Sequence, residues 1–116
     1  MEDGFFPIQQ VMNGEGQLVD SSYKNQITTD FAKQLYINML RARIFDRKCV
    51  SLQRQGRIGT YAPFEGQEAA QIGSASALSD GDWMFPTYRD HAATMTYGQS
   101  LVNILLYWKG DYEGGL

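Results

Sequence analysis

Between Thr28 and Gln55 the apolar positions recur close to every 3.6 residues, at Phe31, Leu35, Met39, Leu40, Ile44, Cys49 and Leu52. That spacing predicts one long amphipathic helix. Thr28 or Thr29 is placed to cap its start, and Asp30 lies near the positive end of its dipole. Gly56 is placed to stop it in a left-handed conformation. A helix of this length takes most of its stability from packing, so it calls for a larger body to dock on.

Before it, Ile8, Val11, Met12, Leu18 and Val19 flank Asn13-Gly14-Glu15-Gly16. The pattern predicts a hairpin over 8–19, with Asn13-Gly14 supplying the positive φ of a tight turn. Residues 20–26 read as a polar connector. After the long helix, Arg57 to Phe64 has little helical character, and Pro63 disfavours helix just before it. A second helix is predicted over 65–78, where Ala69, Gly73 and Ala77 form a smooth stripe open to another backbone. Asp80-Gly81 reads as a turn, and Trp83-Met84-Phe85 as a short buried strand stopped by Pro86. A third helix is predicted from near Thr87 to Gly98. Ser100 then caps a fourth over 101–109, with Val102, Leu105 and Leu106 inward and Gly110 as its stop. Asp111 to Leu116 reads as a loose glycine-rich end.

The elements predict a mostly α chain with an N-terminal hairpin and one short strand. It divides into a hairpin and connector over 1–26 and a helical part over 27–116. At 116 residues there is room for one small core. Hydrophobic residues at 43% and aromatics at 13% predict a packed chain rather than a disordered one. A net charge of -3 leaves no global basic field for a nucleic-acid backbone. The local run Arg41, Arg43, Arg47 and Lys48 is interleaved with Ile44, Phe45 and Asp46, as on a solvated helix face. The single cysteine, Cys49, cannot form an internal disulfide and fits a packed thiol in a reducing compartment. There is no long apolar run, and Met1 to Pro7 lacks the basic start of a signal peptide. These features predict a soluble, cytoplasmic protein.

Most catalytic constellations fail by counting. A zinc site would need ligands beyond the lone His91, and Cys49 lies on a different helix. His91, Asp90 and a serine could be assembled into a triad on paper, but no glycine-flanked nucleophile turn is present. The glycines form neither a dinucleotide fingerprint nor a P-loop. Trp83, Phe85, Tyr97, Tyr107 and Trp108 read as core rather than as a stacking platform for bases. What remains is Phe85-Pro86-Thr87-Tyr88-Arg89-Asp90-His91. A strand that ends where a helix begins leaves backbone N–H groups free for an anion. Arg89 in a first helical turn opposes the dipole, yet its planar fork suits a phosphate, and Tyr88 adds a hydroxyl. The competing reading pairs Arg89 with Asp90 or Asp82, packs Tyr88 as an aromatic, and makes His91 a half-buried histidine with one hydrogen bond. Gln67 and Glu68 are explained as good first-turn residues.

The order of three segments carries a resemblance. Arg54-Gln55-Gly56-Arg57-Ile58-Gly59-Thr60-Tyr61-Ala62-Pro63, then Gly66-Gln67-Glu68-Ala69-Ala70, then Phe85-Pro86-Thr87-Tyr88-Arg89-Asp90 resembles the alpha subunits of the thiamine-diphosphate-dependent 2-oxo acid dehydrogenases. It covers roughly Ile27 to Leu116, and the hairpin has a counterpart in bacterial members. The Gly-x-Tyr-Ala-Pro segment brings the pyruvate branch nearest.

The resemblance implies an α/β thiamine-diphosphate-binding fold when complete, with Tyr88 and Arg89 as ligands of the cofactor's diphosphate. Gly66 to Ala69 would pack near the cofactor pocket. Thr60 and Ala62 stand where some relatives carry an aromatic and a histidine, a departure that bears on substrate choice. The implied reaction is decarboxylation of a 2-oxo acid, with the acyl group passed to the lipoyl arm of a dihydrolipoyl acyltransferase. A beta subunit, in a heterotetramer, would supply the glutamate that activates the cofactor. No catalytic residue and no metal ligand is carried over. The family's magnesium segment, Gly-Asp-Gly followed by an asparagine, has no counterpart here, nor have its loop histidines or its parallel sheet. The resemblance therefore implies about the first third of a subunit, inactive alone. Alternatives are the branched-chain 2-oxo acid or acetoin enzymes. A different class is a short non-catalytic subunit that binds a beta-type partner, and a third is an unrelated helical interaction module.

Overall fold

The computed structural model describes residues 8–115. Its helices are α1 (Thr29–Arg54), α2 (Glu68–Ala75), α3 (His91–Tyr97) and α4 (Leu101–Lys109), with 3-10 turns at Ser21–Tyr23 and Tyr112–Gly115. The chain divides into two units, one ending at Lys33 and one beginning at Gln34.

In the first unit the expected hairpin is reduced to a turn with a single antiparallel bridge, Met12 to Leu18. The Asn13 side chain builds that turn. Its Oδ1 accepts from the backbone N–H of Glu15 at 3.1 Å and of Gln17 at 2.8 Å. The positive φ falls at Gly16 (78°) rather than at Asn13-Gly14, because the asparagine side chain already replaces the backbone bond of a two-residue turn. Asp20 caps the 3-10 turn by accepting from Ser22 N–H at 2.9 Å. Thr28 Oγ1 accepts from Phe31 N–H at 3.2 Å and so closes the start of α1.

The second unit holds the core. From α1 it takes Ala42, Phe45, Asp46 and Cys49, with Leu35 and Met39 half-buried beside them. The predicted helix is present, but its buried face is rotated from the predicted stripe, and Ile44 is 68% exposed. The rotation follows from what α1 packs on, namely the Tyr61–Phe64 segment and Ile72 of α2. Gly56 ends the helix at φ 69°, as its place in the sequence predicts.

Helix α2 begins three residues later than expected. Gly66 at φ 95° and a bond from Gln67 N–H to the Phe64 carbonyl (2.9 Å) first close a turn. The Ala69, Gly73 and Ala77 stripe faces outward. Helix α2 packs against α3. In α4, Ser100 Oγ accepts from Asn103 N–H at 3.1 Å, and Gly110 stops the helix at φ 81°. Ile104 is its buried residue and Val102 is exposed, so the inward positions sit a fraction of a turn from those expected.

Further expectations are corrected. Tyr112–Gly115 is not loose: Gly114 is buried on the last turn of α4, where a Cβ would overlap the Tyr107 backbone. Trp83-Met84-Phe85 has no regular secondary structure and no strand partner, and no sheet forms among the described residues. Trp83 and Phe85, expected in the core, are 82% and 87% exposed and stack on each other at 6.4 Å. Tyr97 and Tyr107, also read as core, are exposed as well. No helix is long and apolar enough to cross a membrane among the described residues.

Candidate functional site

The site rests on a polar frame between α1 and the chain that follows it. Asp46, 1% exposed, accepts from Tyr61 Oη at 2.8 Å, Phe64 N–H at 2.9 Å and Glu65 N–H at 3.2 Å. One carboxylate thus fixes the whole Tyr61–Glu65 segment, which has no secondary structure to satisfy its backbone. Burial, and then the bond to Asp46, push the Tyr61 hydroxyl far above its usual range. Burial also raises the Cys49 thiol to about 11, so it is an inert packed group.

One helical turn away, Arg43 grips Glu68 with two bonds, Nη2 to Oε2 at 2.9 Å and a shorter Nε to Oε1 contact. Glu68 Oε2 also accepts from Gly66 N–H at 2.9 Å. The arginine hydrogen bonds hold the Glu68 carboxyl at about 2, far below the usual carboxylate value. Arg47 makes a second forked pair with Glu65 at 3.0 and 2.7 Å. Two members of the basic run, Arg43 and Arg47, therefore tie α1 to Glu68 and Glu65, while Arg41 and Lys48 lie on the solvated face as expected.

Beyond α2 the chain reaches Thr87-Tyr88-Arg89-Asp90. Asp90 Oδ2 accepts from both the Thr87 N–H and its hydroxyl, each at 2.8 Å, and this closes a turn. Helix α3 begins only at His91, so Tyr88 and Arg89 precede it. The two side chains therefore stand ahead of the helix start rather than in its first turn. Tyr88 is 62% exposed, and the Arg89 guanidinium lies 5.7 Å from its ring centre. Neither pairing considered for Arg89 forms, since Asp90 serves Thr87 and Asp82 Oδ2 accepts from Ser79 N–H at 2.7 Å. Arg89 donates one Nη1–H to the Pro63 carbonyl. Its other N–H groups have no partner among the described residues, and Tyr88, Thr87 and Tyr107 line a neighbouring cleft of about 210 Å³.

His91 is buried, and its Nε2 accepts from Trp108 Nε1–H at 2.8 Å. An indole N–H only donates, so Nε2 carries no proton and the ring is the neutral Nδ1–H form. Burial pushes the His91 pKa down, outweighing Asp46, Asp90 and the Tyr88 backbone, which pull it up. His91 thus supports the turn from below, within an aromatic group that includes Tyr61, Phe64 and Trp108. Tyr61 faces into this group, while Thr60 is exposed and Ala62 half-buried. Gly59 lies against α4, its N–H bonded to the Trp108 carbonyl at 2.9 Å, and a Cβ there would meet that oxygen at 3.2 Å. No group of three His, Cys, Asp or Glu side chains that could hold a metal ion occurs among the described residues.

A half-buried arginine and an exposed tyrosine thus stand side by side on a turn braced by buried polar bonds after the second helix. The chain belongs to the dehydrogenase E1 component family, whose model matches residues 36–116. Among individual proteins, it is 37% identical over 105 residues to the pyruvate dehydrogenase E1 component subunit alpha of Bacillus subtilis, covering 90% of this chain and 28% of that protein. It is 36% identical over 107 residues to the protein of the same name in Mycoplasma genitalium, covering 92% of this chain and 30% of the relative. For Bacillus cereus the identity is 36% over 109 residues, covering 94% and 29%. The chain spans less than a third of the length of these curated relatives.

Sequence reading missed Asp46, the Arg43–Glu68 pair and the role of Gln71 described below. For Asp46 a signal was available: a carboxylate at spacing i, i+3 between Arg43 and Cys49, next to Phe45, sits inside the apolar arc rather than opposite it.

Proposed function

We propose that this chain is part of the alpha subunit of a pyruvate dehydrogenase, and that Tyr88 and Arg89 hold the diphosphate of thiamine diphosphate. The observation that carries the reading is the adjacent Tyr88 and Arg89, the arginine half-buried and paired with no carboxylate among the described residues, on a turn fixed from beneath. The residues suit the group. Arg89 retains N–H donors that match two phosphate oxygens, and the Tyr88 hydroxyl lies at the same edge. Magnesium would draw its ligands from outside the described residues, which hold no group of three His, Cys, Asp or Glu side chains for it. When bound, thiamine diphosphate supplies the carbanion chemistry that decarboxylates a 2-oxo acid.

This chain's own part is binding and orientation. Arg89 neutralises phosphate charge while its tether to Pro63 links the anchor to the Gly59–Pro63 segment. Exposed Thr60 and half-buried Ala62 on that segment contribute to substrate choice, and the names of the relatives favour pyruvate. A beta subunit, in a heterotetramer, completes the site, and a dihydrolipoyl acyltransferase accepts the acyl group in the cytoplasm.

The test is Arg89→Ala in the complete alpha/beta assembly, with thiamine diphosphate titrated by calorimetry. Charge-assisted hydrogen bonds contribute about 1.5–3 kcal/mol each, so the Kd should rise by about a hundredfold. An unchanged Kd would remove the diphosphate reading.

A further inference from the structure

Gln71 is 7% exposed, and all of its amide groups are engaged. Its Nε2 donates to the Arg89 carbonyl at 3.0 Å and to Gln67 Oε1 at 3.1 Å. Its Oε1 accepts from the Ala92 N–H at 3.0 Å. The orientation of the amide follows from its partners. Flipped, it would set an NH2 against the Ala92 N–H and an oxygen against the Arg89 carbonyl, repulsive on both sides. One side chain on α2 therefore spans the backbone on either side of His91, where the turn passes into α3. Ala92 N–H is one of the donors that a helix start leaves without an internal partner. Neither it nor the Arg89 carbonyl has another partner among the described residues.

A buried position needed only for packing is filled at less cost by an apolar side chain, since an amide must have every polar atom satisfied. Here the amide fixes the backbone from which Tyr88 and Arg89 emerge. The bonds from Asp90 to Thr87 shape the turn internally, but they do not attach it to the rest of the protein. Gln71 attaches it to α2, and Gln67 N–H on the Phe64 carbonyl attaches that helix start to the Tyr61–Phe64 segment.

We propose that Gln71 is a positioning residue for the anion-binding edge: it touches no phosphate, but sets where the Arg89 guanidinium and the Tyr88 hydroxyl stand. This rests on the reading of those two residues as diphosphate ligands. Thiamine diphosphate is titrated by calorimetry into the complete alpha/beta assembly, wild type, Gln71→Leu and Arg89→Ala, and kcat is measured at saturating cofactor.

Gln71→Leu is expected to raise the cofactor Kd by about tenfold, with kcat at saturation within about twofold, because displaced ligands weaken binding that added cofactor restores. A Gln71→Leu Kd within twofold of wild type, with Arg89→Ala strongly weakened, overturns the positioning role and leaves the diphosphate reading standing. If Arg89→Ala is equally without effect, both fall together. Should the leucine variant not assemble, Gln71→Glu keeps the acceptor for Ala92 N–H, loses the donor to Arg89, and is read by the same criteria.

Discussion

Replacing Asp46 by asparagine keeps the shape of the side chain and changes only what its atoms can offer. Oδ1 serves Tyr61 and Phe64, while Oδ2 serves Glu65. An asparagine would keep its oxygen at the first position, where two donors converge, and turn its NH2 towards Glu65 N–H. One acceptor is then lost, and two donors face each other in a site that is 1% exposed. A hydrogen bond to a charged group contributes about 1.5–3 kcal/mol, and an unpaired buried donor costs about the same, so Asp46→Asn should destabilise by about 2 kcal/mol. For a domain of this size that lowers Tm by roughly 10 °C. Urea unfolding gives the free energy, and native-state hydrogen exchange gives the location. The Glu65 amide should exchange about thirtyfold faster if the global change is 2 kcal/mol. A loss below about 0.5 kcal/mol, with Glu65 exchange unchanged, would refute the idea that Asp46 organises this segment.

Three further outcomes follow from the same frame. The Glu68 carboxyl, depressed to about 2 from an ordinary 4.5, stabilises the fold above the ordinary value and progressively less as pH falls towards 2. Unfolding curves of wild type and Glu68→Gln should therefore converge over that interval, and a constant gap would refute the assignment. His91 has a lowered pKa, so the unfolded chain binds its proton more readily; stability should decline as pH falls below 6.5, and the folded imidazole should stay neutral there. Nitrogen chemical shifts showing a folded His91 that titrates at or above 6.5 would contradict this. Gly114→Ala must move the Tyr112–Gly115 turn away from Tyr107, at a cost of about 1–3 kcal/mol. Faster exchange of the Gly114 amide, bonded to the Asp111 carbonyl at 3.1 Å, would register it, and unchanged exchange would count against the close contact.

Helix ends were the most readable part of the sequence. Gly56, Gly98 and Gly110 each stop a helix with positive φ, and Ser100 caps one, because these signals act within a few residues. Which face of a helix is buried depends on distant partners, so the α1 and α4 stripes were displaced. The bonds that build the site join residues 15 to 26 positions apart, as in Asp46 to Tyr61, Arg43 to Glu68, Gln71 to Ala92 and Arg89 to Pro63. Charge and spacing along the chain do not encode such pairings. The start of α3 was placed too early because Thr87 and Asp90 close a local turn that competes with the first helical turn. Tyr88 and Arg89 were expected within the first turn of a helix, and they precede it.

The two tryptophans give the protein a pair of optical reporters that do not overlap. Trp83 stands in water beside Phe85, so its emission should lie at long wavelength and move to shorter wavelength only when something covers that surface. Trp108 donates its indole N–H to a neutral imidazole, and a protonated imidazole is an efficient quencher of indole light. Its intensity therefore reads the charge of His91 directly beneath the Tyr88–Arg89 turn, and a label-free spectrum can follow covering of the outer aromatic surface and protonation of the inner support as separate signals.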